Sequence, residues 1–108
     1  MLPNKIEKII TIKEFLELIY HYNSDDVNIT DHTLFRLSEN QRKIFKEEVL
    51  KKYLIRHIPI MVGIQYNNNY AIFYQHEKNV LKIIIELQPL KINVITFFII
   101  NANQIPRL

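Results

Sequence analysis

"IMVGIQYNNNYAIFYQHEKNVLKIIIELQPLKINVITFFII" occupies residues 60–100. It decides the fold. Four runs rich in Ile, Val, Phe and Tyr, "IMVGIQY", "YAIFYQH", "VLKIIIEL" and "INVITFFII", are separated by "NNN", "EKN" and "QPLK". β-Branched and aromatic runs between turn formers read as strands. Connections this short force antiparallel neighbours, because a parallel crossover needs a dozen or more residues. The stretch therefore predicts a four-stranded antiparallel meander. Within "VLKIIIEL", Leu81, Ile83, Ile85 and Leu87 fall on one face and Val80, Lys82, Ile84 and Glu86 on the other, since side chains alternate along a strand. One face is expected to meet helices, and the other is only partly polar.

Upstream, the periodicity changes. In "TIKEFLELIYHY", Ile12, Phe15, Leu16 and Ile19 follow helical spacing, and Thr11 with Glu14 makes a capping box. "NSDDVNIT" then breaks the pattern with turn formers. "TDHTLFRL" reads as a short helix capped by Thr30. A longer helix follows, capped by Ser38 with Gln41 in the reciprocal position. Along it Phe45, Val49 and Tyr53 form one stripe beside Leu50 and Leu54. Glu47 with Lys51 and Glu48 with Lys52 stand in the favourable i, i+4 orientation of a solvent face. The tail "NANQIPRL" carries no clear secondary structure. Helices segregated to one side of an antiparallel sheet give an α+β fold. The prediction is N-terminal helices packed on one face of a four-stranded antiparallel β-meander.

Composition bounds the chemistry. At 108 residues the chain is one domain with ordinary globular composition, 48% hydrophobic and 23% charged. Its longest apolar runs are too short to cross a bilayer. The N-terminus lacks the pattern of a signal peptide, so a cytoplasmic protein without membrane partners is expected. There is no cysteine, which removes disulfides and thiolate chemistry. Gly63 is the one glycine, whereas phosphate-cradling loops need several. The two serines are Ser24 and Ser38, and a capping role for Ser38 argues against a serine hydrolase. His21, His32, His57 and His76 form no short ligand pair, and Asp25 and Asp26 sit in a turn, so no metal motif is visible. Residues 1–31 carry three lysines against six carboxylates, net −3, which leaves +6 of the total +3 on the remainder. A basic body fits an anionic partner such as nucleic acid, or it is a solvated surface with an incidental bias.

The order of parts, a His-x-x-x-Arg helix ("HTLFR"), a second helix, then a meander ending in a "VITFF"-type strand, resembles the BrnT-like branch of the RelE/ParE toxin superfamily across about residues 29–100. The resemblance implies one RelE/BrnT-like domain over residues 1–108, with residues 1–28 as an added helical leader. It also implies the toxin of a two-component toxin–antitoxin system. Many members cleave RNA without metal or cofactor, others poison DNA gyrase, and others have no established activity. The implied partners are RNA and a cognate antitoxin protein, and a homodimer is allowed. The chain departs from the pattern in its mild net charge and its acidic leader.

Metal-free RNA cleavage needs a base, an acid and cations around the phosphorus. His32 and Arg36 lie one helical turn apart and would share a phosphate, histidine moving protons and arginine's planar fork holding the oxygens. The structural alternative is that His32 packs or caps its helix and Arg36 bridges to Asp31 or Glu39. Arg107, folded back over the sheet, would clamp a phosphate; otherwise it belongs to a loose end. Tyr74, on the same strand face as Tyr70, would stack a base or donate a proton; otherwise it is core. Arg42 and Lys46 would make weak contacts to an RNA backbone, or are simply solvated. Lys82 is a phosphate contact or a solvent-face lysine. Three functional readings stay open: a metal-independent ribonuclease toxin, a non-catalytic module that docks a protein by its sheet face or edge, and a nucleic-acid or gyrase binder without nuclease activity.

Overall fold

The computed structural model describes residues 5–29 and 46–106. The predicted meander is present: β3 (Met61–Gln65), β4 (Tyr70–His76), β5 (Asn79–Gln88) and β6 (Lys91–Ile100) pair antiparallel in that order. Among the described residues the sheet nevertheless has six strands. β1 (Ile6–Ile10) adds antiparallel to β3, and β2 (Val27–Ile29) adds parallel to β6, giving the order β1-β3-β4-β5-β6-β2. A four-stranded, purely antiparallel sheet therefore does not describe this fold, although its α+β class holds. Both extra strands are short. β2 hides its Val27–Asn28–Ile29 alternation inside a polar stretch, and a register shift between Ile6 and Lys8 blurs that of β1.

Residues expected to form an added helical leader are thus built into both edges of the sheet. Helix α1 (Ile12–Ile19) joins them as predicted, with Thr11 Oγ1 accepting from the Glu14 backbone N–H at 3.1 Å. Its Phe15 and Ile19 are buried. The Tyr22 hydroxyl donates to the carbonyl of Gln88, fastening the chain after α1 to the end of β5.

Helix α2 (Glu47–Arg56) begins later than the sequence suggests. Lys46 is extended (φ −72°, ψ 158°) and stands as its N-cap, so the helix is not continuous from Ser38. Ser38 and Gln41 themselves lie outside the described residues. Leu50, Tyr53 and Leu54 face inward, while Lys51 pairs with Glu47 at 3.3 Å on the outer side.

Both helices lie on one face of the sheet. There, Phe15, Leu50 and Leu54 pack with Val62, Ile72, Leu81, Ile83 and Ile85 in one cluster. Burial of a large apolar side chain contributes roughly 1.5–3 kcal/mol. The division of β5 into two faces is as the alternation requires.

β6 departs from simple alternation. Ile85 pairs with Val94 while Ile84 pairs with Thr96, so Ile95 is an extra residue, a β-bulge. The bulge lets Ile92 and Val94, then Phe97, all reach the helix-covered core. A second, smaller cluster forms on the opposite face from Ile6, Ala71, Phe73, Val80 and Ile84, with Ile100 and Ile105 packed against it. Ile6 sits over Gly63, where a Cβ would come within 2.8 Å of Ile6 Cγ2. The tail is more ordered than the sequence implies: Ala102–Gln104 form a 3₁₀ turn, with Gln104 Oε1 accepting from the Asn101 backbone N–H at 2.7 Å.

Candidate nucleic-acid interface

Among the described residues, neither α1 nor α2 packs against the opposite face of the sheet. Ile100 and Ile105 pack there against the cluster that contains Phe73 and Val80. Beyond them β5 presents Lys82, whose neighbours across the strands are Phe73 and Phe98. The Lys82 ammonium lies 5.4 Å from the Phe73 ring centre and 5.2 Å from that of Phe98. Such cation–π contacts are worth ~0.5–1 kcal/mol when exposed and more when desolvated. Partial burial pulls the Lys82 pKa below the ordinary lysine value, because a low-polarity surrounding disfavours the charged form.

Among the described residues no carboxylate pairs with Lys82. On the same face of β5 the next carboxylate is Glu86. Four residues on is about 13 Å along a strand. Glu86 is also engaged, accepting from Gln88 Nε2 at 2.7 Å and Asn93 Nδ2 at 3.0 Å.

Beside Lys82 runs a groove of about 180 Å³. Ile84 and Ile95 supply apolar surface and Phe98 an aromatic wall. Thr96 and the amides of Asn67 and Asn69 supply polar groups, and the buried Gln65 also borders the groove. The bulge brings Ile95 and Thr96 together along this groove. The amide-bearing loop is fixed by its own bonds. Gln65 N donates to Asn69 O at 2.8 Å, Asn68 N to Gln65 O at 2.9 Å and Asn69 N to Asn67 Oδ1 at 3.0 Å. Asn68 takes a left-handed conformation, φ 70°, which asparagine tolerates better than most residues. A roomier trough of about 600 Å³ runs along Ile12, Lys13, Leu16 and Glu17 of α1 and on to Tyr20 and His21 just beyond it. It is wide and overwhelmingly apolar, so the smaller groove, with its cation and amides, is the better chemical candidate.

The predicted site residues divide. Tyr74 is in the helix-side core, 1% exposed, with its ring 5.3 Å from that of Tyr53. Its hydroxyl has no hydrogen-bond partner among the described residues, and burial drives its pKa far above the ordinary tyrosine value. It is placed to fill the core, not to stack a base or protonate a leaving group. Lys46 is exposed at the start of α2, remote in sequence from the groove and on an element of the other face. Lys82 is at the groove. His32, Arg36, Arg42 and Arg107 lie outside the described residues.

The structure also assembles a group that spacing along the chain concealed. Tyr53 of α2 meets His76 of β4, hydroxyl to Nδ1 at 2.7 Å, and its ring lies 4.4 Å from that of His57. Burial, then the charge of Glu77, raises the Tyr53 pKa. This contact fastens α2 to the β4–β5 hairpin. Among the described residues no three His, Asp or Glu side chains converge as a metal-binding group, and no helix is long and apolar enough to cross a membrane.

Sequence reading placed Lys82 as a phosphate candidate but missed Phe98, Asn67, Asn69 and Thr96. One signal was present: Asn93 and Thr96 are both polar in β6 yet three apart, which simple alternation cannot place on one face. Compared with known proteins, the chain matches no family model, no curated protein and no solved structure.

Proposed function

We propose that this chain is a nucleic-acid-binding module that engages RNA through the open face of its sheet. The observation that carries this reading is the Lys82 ammonium, held between two phenylalanine rings beside a groove of amides and facing no carboxylate among the described residues. A fixed cation flanked by aromatic surface suits a phosphate next to a stacked base. The excess positive charge after residue 31 strengthens attraction to such a strand.

The test is titration of labelled oligouridine with wild-type protein and Lys82→Met. Loss of one charged contact is expected to weaken binding about tenfold. The slope of log affinity against log salt should flatten by about one. Identical affinity and slope for the two proteins would remove the proposal.

RNA cleavage, the activity the toxin resemblance implies, is a further step. The groove residues hold no histidine or carboxylate to serve as base or acid. Cleavage would therefore rest on His32, Arg36 and Arg107. Incubating RNA with the protein in EDTA, alongside a variant carrying His32→Ala and Arg36→Ala, separates a binder from a nuclease: intact RNA with wild type ends the nuclease reading and leaves the binding reading standing.

A further inference from the structure

We infer that the groove beside Lys82 receives a single unstacked nucleobase, so that the partner is a single strand and not a duplex; this rests on the reading that the open face binds nucleic acid. Size is the first argument. The groove holds about 180 Å³, below the roughly 300–1,000 Å³ of pockets that take whole drug-sized ligands. It suits one flat ring system and little more.

Surface chemistry is the second. Phe98 is 39% exposed at the groove wall, and Ile84 and Ile95 line the groove with it. A small groove lined by Ile84, Ile95 and Phe98 with amides beside them matches a molecule with two apolar faces and a polar edge. Asn69 can offer a donor and an acceptor, and Asn67, whose Oδ1 already accepts from the Asn69 backbone N–H, its amide donors; donors and acceptors are what base edges present. Their loop is already bonded into shape, so little order must be imposed on binding. Lys82 at the same groove supplies the charge for the adjoining phosphate.

A duplex keeps its bases stacked and paired, and its A-form grooves do not let a base enter a slot of this kind. The bulge in β6 is part of the device. By adding Ile95 it changes which side chains border the groove, a role bulges commonly take beside binding sites.

Fluorescence anisotropy with the full chain tests the inference, using three probes of equal length: oligouridine, an abasic ribose-phosphate strand and an RNA duplex. Oligouridine is expected to bind about tenfold or more tighter than the abasic strand, as a stacked base typically contributes. The duplex should bind no better than the abasic strand. Phe98→Leu, which keeps apolar bulk but removes the ring, should weaken oligouridine binding by a clearly larger factor than it weakens binding of the abasic strand. Equal affinity for oligouridine and the abasic strand, with both still sensitive to Lys82→Met, would overturn the base slot while sparing nucleic-acid binding. Absence of binding to all three probes at low salt would overturn both.

Discussion

On one side of the sheet Ile72, Leu81, Ile83 and Ile85 are wholly buried beneath α1 and α2; on the other, the same strands display Lys82, Thr96 and Phe98 at a groove. The buried cluster of the covered side is apolar apart from the hydroxyls of Tyr53 and Tyr74, and Tyr53 meets His76 beside it. The open side mixes a small core of five buried residues with a cation and several amides. Stability is concentrated where water is excluded. The capacity for recognition remains where it is not, because a charge or amide can meet a ligand only if its own core has not consumed it.

The largest effect should come from the covered face. Ile83→Ala is expected to cost about 2–5 kcal/mol in chemical denaturation, and Phe98→Leu on the open face less than half as much. Equal losses would mean that the open face is a second core and the contrast is false.

Next is the join between β1 and the open face. Gly63→Ala places a methyl 2.8 Å from Ile6 Cγ2. Overpacking of this kind typically costs about 1–3 kcal/mol. Combining it with Ile6→Ala should recover part of the loss in a double-mutant cycle. Strict additivity would show that β1 does not rest on this contact.

Tyr74→Phe should stabilise the protein by about 1 kcal/mol, since a buried hydroxyl without a partner costs free energy that phenylalanine avoids. The same residue gives a pH signature. Its folded pKa lies above the unfolded value of about 10, so neutral Tyr74 contributes stability below that pH. That contribution is lost as the unfolded phenol ionises at higher pH, and Tyr53 adds in the same direction. Alkaline melts should therefore fall less steeply for Tyr74→Phe than for wild type.

The smallest effect on stability sharpens the comparison most. Lys82→Met should leave the melting temperature unchanged or raise it, within about 0.5 kcal/mol, while RNA affinity falls. The sign follows from the depressed pKa of Lys82. Burying the charged form costs stability at neutral pH, and that cost disappears as pH rises through the folded pKa toward the unfolded value of about 10.4. A clear loss of stability in this variant would make Lys82 a structural residue.

Local pattern determined a good deal of this protein. The four β-rich runs, their antiparallel order, the two faces of β5, the Thr11 cap of α1 and the inward stripe of α2 were all legible, because each depends on neighbours close in the chain. The site was legible only at Lys82. Tertiary structure decided the rest. Val27–Ile29 becomes a strand because β6 offers a parallel edge, and Ile6–Ile10 because β3 offers an antiparallel one. Tyr74 could be a reactive phenol or a core ring until packing against Tyr53 settled its burial. The groove brings together residues 65–69, 82–84 and 95–98 through strand pairing and one bulge. No local window of sequence contains that combination, since which distant residues share a face is fixed by register, and register is a property of the assembled sheet.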